Sequence, residues 1–242
     1  MFHTTHWTQV VSARTLTPAR RREALDTVIT RYWKPVYYYL RRRGHKNEAA
    51  KDLTQSFFHE VVLHRDLIQQ ADRSKGRLRS LLLSALDRYV RNVHRDAHAQ
   101  KRMPDGPVLS LDTDSCREIP DSARSVSADA VFNYAWAMEL LDRVFSEVER
   151  HCRKDGLDLH WEIFEARVLR PILKNSTPPS LTELCARHGI KGETKASNML
   201  ITAKRRVQRM LRICVADSVG PDVDVDEEIS DLLRIFSEAS AV

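Results

Sequence analysis

Two rows of guanidinium and ammonium groups supply the chemistry that this chain's residue types and spacing allow. One lies in 195–212, KASNMLITAKRRVQRMLR, a stretch without an acidic residue. At 3.6 residues per turn, Asn198, Thr202, Arg205, Arg209 and Arg212 share one stripe, while Ala196, Met199, Ala203, Val207, Met210 and Cys214 share another. The apolar stripe requires a core. The other stripe offers hydrogen-bonding groups and then three fixed positive charges. A solvated face usually mixes signs, because acids support a helix through i,i+4 pairs. A face without acids suits a polyanion. The second row, Ser84, Arg88, Arg91 and Arg95, falls at helical steps within 72–102, where nine basic residues stand against three acidic ones. The chemistry expected of both rows is ionic contact with phosphate.

Covalent and metal chemistry find less support. HEVVLH (59–64) places His59 and His64 five residues apart, about 140° round a helix. The zinc-protease pattern needs histidines at i and i+4 on one face. Asp112 and Asp114 lack the rest of a calcium loop. No glycine-rich phosphate loop occurs, and no Ser or Cys sits in a nucleophile motif. The expectation is a protein that is not an enzyme, with no cofactor, no metal and no small-molecule substrate. Trp7, Trp33, Trp136 and Trp161 are read as core residues.

The elements that position the first row begin upstream, in PPSLTELCARHGI. Pro178 and Pro179 break the chain, and Ser180 with Glu183 forms a capping-box pattern. Leu181, Leu184 and Cys185 give an inward face, Gly189 stops the helix, and Ile190 plugs the corner. A short helix, a glycine turn and a longer basic helix make a helix-turn-helix. The second helix would present Lys191, Glu193, Thr194, Lys195, Ser197 and Asn198 to base edges, with Thr202 on the Asn198 stripe. Lys204, Arg205, Arg206 and Arg209 would lie near phosphates. From Ser180 to Arg212 eight basic residues less two acidic ones leave +6.

The second row follows a helix from about Glu48, in which Leu53, Phe57 and Val61 form an inward column beside Phe58 and Val62. Asp52, Gln55 and His59 share the opposite face. That row is either a solvated surface or the polar half of a protein docking site, with Phe58 as its apolar anchor. Residues 71–76 read as a loop. A helix from Arg77 then turns Leu78, Leu82, Ala85, Tyr89 and Val93 inward.

The 242 residues are 42% hydrophobic, with seven glycines and few period-two runs, so the fold is expected to be all-α. Four well-separated cysteines fit a reducing compartment rather than a disulfide framework or a zinc ribbon. No apolar run is long enough to span a membrane, and MFHTTHWTQVV does not have the layout of a secretory signal. A cytoplasmic location is expected. The organisation read from patterning is a helical domain at 1–102, a flexible linker at 103–127, a helix-turn-helix domain at 128–216 and an acidic tail at 217–242. The tail holds eight acidic residues and one basic, a net of −7. It is either a solvated helical cap or a shield over a basic surface.

RYWKPVYYYLRRRG (31–44), DLTQSFF (52–58) and GRLRSLLLSAL (76–86) resemble the planctomycete-type branch of the extracytoplasmic-function RNA polymerase sigma factors. The likeness spans residues 2 to 102 and, more loosely, 128 to 215. It implies that the first domain is sigma region two, whose Asp52, Leu53, Gln55, Phe58 and His59 would dock on core RNA polymerase, chiefly its β′ subunit, with β as a further contact. The loop 66–78, with Arg73, Lys75 and Arg77, would capture a flipped base of the proximal promoter element, and Arg79, Arg88, Arg91 and Arg95 would hold the melted strand. The second domain would be region four, reading the upstream element of promoter DNA through Lys191, Thr194, Lys195, Ser197, Asn198, Thr202, Lys204, Arg205 and Arg209. An anti-sigma factor is a further partner the likeness leaves room for. HGIKGETKAS is about one residue longer than the family's usual turn, which puts the base-contacting register in question. Two other functions fit the same residues: a self-sufficient helix-turn-helix regulator, and a decoy that binds polymerase but reads promoters poorly.

Overall fold

The computed structural model describes residues 17–64, 67, 77–99, 127–219 and 222–240, and these are helical apart from turns and a single isolated β-bridge between Arg77 and Val219. The chain divides into two compact units: residues 1–139 with 215–242, and residues 140–214. The division differs from the expected one in both places where it meets an element. The linker reading at 103–127 lies outside the described residues except for Ser127. The helix after it starts at Ala128, and its first three turns belong to the first unit, as does the acidic tail.

In the first unit, α1 (Pro18–Arg42) starts with proline at a position where no N–H is needed, after Thr17 in an extended conformation. It buries Val28, Tyr32, Val36, Tyr39 and Leu40 along one side. Gly44 ends it at φ 94°. α2 (Asn47–Phe57) continues as a π-helical stretch, Phe58–His64. Phe57 and Phe58 are both fully buried with their rings edge to face at 5.4 Å. α3 (Leu78–Ala99) contributes Leu78, Leu82, Leu86, Tyr89 and Val90 to the same core. The Phe57 and Tyr89 rings meet at 5.7 Å.

α4 (Ala128–Lys154) is capped by Ser127, whose hydroxyl accepts from the Ala130 amide at 3.1 Å. Its first turns lay Phe132 against Tyr32 and bury Trp136. The last helix, α9 (Val225–Ser240), buries Leu232 and sets Phe236 edge-on to Tyr134. The tail is therefore a packed amphipathic helix of the first unit.

In the second unit, the rest of α4 buries Leu140, Val144, Val148 and Cys152. α5 (Asp158–Phe164) passes through a π-helical stretch, Glu165–Leu169, into α6 (Arg170–Lys174), which Asn175 closes in the left-handed conformation. α7 (Leu181–His188) and α8 (Glu193–Ala216) complete the unit. The Trp161 and Phe164 rings meet at 5.5 Å, tilted by 37°, in its core.

Candidate nucleic-acid interface

Sequence dictates the start of α7 closely. The Ser180 hydroxyl accepts from the Glu183 amide at 3.1 Å, and the Glu183 carboxylate accepts from the Ser180 amide at 2.8 Å. The Ser180 backbone amide first, and then the Ser180 side chain, favour the charged Glu183 carboxylate and hold its pKa below the ordinary glutamate range. Gly189 stops α7 at φ 63°, and Ile190 is buried in the corner. Gly192 follows at φ 93°, so the turn spends two glycines. α8 then begins at Glu193. Glu193 accepts from the Thr182 hydroxyl at 2.5 Å and ties the two helices together, which removes it from the base-facing set.

Along α8 the apolar stripe turns inward: Ala196, Met199, Ala203, Met210 and Cys214 are buried and Val207 is half-buried. The opposite side exposes Thr194, Asn198, Arg205, Arg209 and Arg212, with Ile201 among them at 42% exposure. Lys195 and Lys204 are exposed beside this face, and Lys191 stands exposed in the turn ahead of the helix. Ser197 is half-buried. Thr202 is also half-buried, its hydroxyl donating to the Asn198 carbonyl at 2.9 Å. Arg205 and Arg209 have no ion pair among the described residues. Arg206 differs: it binds Asp155 at 2.7 Å and braces the second unit instead of joining the phosphate-facing set. Beside it, burial pushes the Cys152 thiol up.

The first unit separates the residues that the sequence grouped. Asp52 is exposed on α2, with Gln55 and His59 half-buried on the same helix and its continuation, and Leu53 partly covered. Phe58 is fully buried, so it is a core residue and not a docking anchor. Its backbone is ordinary α-helix (φ −65°, ψ −42°), so it stands about 100° from Phe57 on the inward side of the helix. Arg73 and Lys75 lie outside the described residues. Arg88 and Arg95 are exposed on α3. Arg91 is exposed but pairs with Asp87 at 2.5 Å, and Asp87 also holds Arg43 at 3.1 Å and the Tyr39 hydroxyl at 3.1 Å. Burial foremost, with the Asp87 carboxylate adding to it, raises the Tyr39 phenol to about 12.

Arg77 and Arg79 depart most from expectation. Arg79 is 8% exposed. Its Nε and one terminal nitrogen fork onto the Glu228 carboxylate at 2.8 and 3.1 Å, and the other terminal nitrogen donates to Asn133 Oδ1 at 2.9 Å. Its guanidinium also lies 4.7 Å from the centre of the Trp136 ring. Arg77 binds Glu228 at 2.7 Å, Glu227 at 3.7 Å and Asp231. Both guanidinium groups are therefore occupied by α9 rather than offered to DNA. Glu228, Asp231, Asn133 and Trp136 were not singled out as partners from sequence. The signal was the spacing of Val225, Ile229, Leu232 and Phe236, which marks an amphipathic helix in need of a surface to cover.

No family model, curated protein or solved structure matches this chain. Among the described residues no group of three or more His, Cys, Asp and Glu side chains could hold a metal ion, and no helix is long and apolar enough to cross a membrane.

Proposed function

We propose that the chain is an RNA polymerase sigma factor of the extracytoplasmic-function type, directing core polymerase to a subset of promoters. The observation that carries this reading is the acid-free outer side of α8, with Asn198, Arg205 and Arg209 exposed behind a capped, glycine-turned α7. Such a helix suits the DNA major groove: short polar side chains reach base edges and guanidinium groups neutralise flanking phosphates. The exposed Arg88 and Arg95 on α3 add a second positive surface in the other unit. Two modest contacts in one chain raise each other's effective concentration. Asp52 and Gln55 on α2 are the residues assigned to docking on the polymerase β′ subunit, and the cytoplasm is the location this activity requires.

Capture on immobilised core polymerase tests the docking assignment. The intact chain should be retained, and Asp52→Ala with Gln55→Ala should weaken retention at least about tenfold, the scale of an interface hot spot. Undiminished capture by the folded double variant rejects α2 as the docking helix.

A second reading is favoured by one observation, the occupation of Arg77 and Arg79 by α9. With those residues engaged, the α7–α8 pair is the more accessible basic surface, as in a helix-turn-helix regulator that acts alone. Such a regulator binds its duplex tightly without polymerase, whereas a sigma factor needs polymerase to find and open a promoter.

A further inference from the structure

We propose that α9 is an internal stand-in for nucleic acid, and that displacing it uncovers a site for single-stranded nucleic acid built from Arg77, Arg79, Asn133 and Trp136. The proposal rests on reading the first unit as a promoter-binding domain. Its basis is the chemistry of the covered surface. Arg77 and Arg79 meet three carboxylates, Glu227, Glu228 and Asp231, spaced along one helix. Carboxylate and phosphate oxygens accept the same forked guanidinium bonds. Under Arg79 lies Trp136, 4% exposed, and beside it the Asn133 carboxamide. An indole face, a carboxamide and two guanidinium groups are the parts from which single-strand sites are made: stacking platform, base-edge partner and phosphate clamp.

A purely structural helix would be expected to cover this surface with apolar residues, since buried ion pairs often stabilise no better than hydrophobic replacements of similar volume. α9 does use Leu232 and Phe236 for packing. It nevertheless places its acids on the two arginines. The ion pairs are also graded in exposure: Glu228 is 1% exposed, Asp231 16% and Glu227 68%. Displacement can therefore begin at Glu227 and Asp231, where solvent and a competing polyanion have access, before Glu228 is released. Closed, the chain withholds Arg77 and Arg79. Open, it offers them together with the tryptophan.

The test uses the full chain carrying Arg205→Ala and Arg209→Ala, which lowers the α8 contribution equally in every variant, and a labelled single-stranded oligothymidine at low salt. Glu227→Gln with Asp231→Asn loosens the clasp and leaves the Glu228–Arg79 fork in place to keep the fold. This variant should bind about tenfold more tightly, and adding Arg77→Ala should abolish the gain. Asp222→Asn with Glu238→Gln changes the net charge equally without touching either arginine, and should leave affinity within about twofold. A gain no larger than that control, or one that survives Arg77→Ala, overturns the proposal. On the unmodified chain, excess oligothymidine should speed amide exchange across 225–240; unchanged or slower exchange also overturns it. No polymerase is present, so failure here removes the covered site and leaves the sigma-factor reading standing, while failure of polymerase capture does the reverse.

Discussion

Arg79 and Glu228 lie buried against each other, and Arg77 holds the same carboxylate at 2.7 Å, so removing Arg79 leaves Glu228 with one guanidinium partner instead of two. Arg79→Ala should therefore lower unfolding stability by about 1.5–3 kcal/mol in a denaturant titration, the scale of lost charge-assisted hydrogen bonds. An effect under about 1 kcal/mol would mean that Arg77 alone satisfies Glu228. Phe58→Ala should cost more, about 3–5 kcal/mol, because the ring is wholly enclosed. Any loss of polymerase binding in that variant then reports unfolding rather than docking. His45 gives a pH-dependent case. Its ring stacks on His94 at 5.4 Å, with Nε2 buried and without a hydrogen-bond partner. Burial first, then the neighbouring His94 and Arg43 charges, hold its pKa below the ordinary histidine value. A depressed folded-state pKa means that the unfolded chain takes up the proton more readily. The contribution is complete above the unfolded pKa of about 6.5 and is lost as pH falls through the lower folded value. Thermal midpoints should drop on acidification below that point, and His45→Phe should make the drop shallower. An unchanged slope in the variant would assign the acid sensitivity to other groups.

At the scale of elements, α7 and α8 were legible because their signals are local. A serine three residues before a glutamate, a glycine at the stop and an apolar period of three to four each act within one or two turns. Ser180→Ala should cost about 1 kcal/mol, and Gly189→Ala about 1–2 kcal/mol because alanine resists φ 63°; wild-type stability in both would show that the turn is held by other contacts. The two features missed were not local. The π-helical stretch at 58–64 has no cap or breaker to announce it, and the full enclosure of Phe58 depends on what packs over it from elsewhere in the unit. The attachment of α9 to Arg77 and Arg79 joins residues about 150 positions apart in sequence, and composition alone showed it only as an acidic tail. For α8, Arg205→Ala should reduce the salt slope of duplex binding by about one unit, irrespective of base sequence. An unaltered slope identifies Arg205 as a solvated residue.

For the whole molecule, the formal charge of +6 is the sum of opposed parts. Two strongly basic segments are offset by a tail of −7, and that tail belongs to the first unit with one of the basic segments. On the proposed function, free nucleic acid would meet α8 and the outer face of α3, while Arg77 and Arg79 stay engaged by α9. A protein built this way should bind DNA weakly alone and commit to it when polymerase supplies the second half of the grip. Promoter-directed run-off transcription with core polymerase, over a library of randomised upstream sequences, measures that claim directly. The account predicts discrete transcripts that need both the chain and core polymerase, share a common upstream element, and are reduced at least about tenfold by Arg205→Ala with Arg209→Ala. Transcripts that are unchanged when the chain is omitted would contradict it.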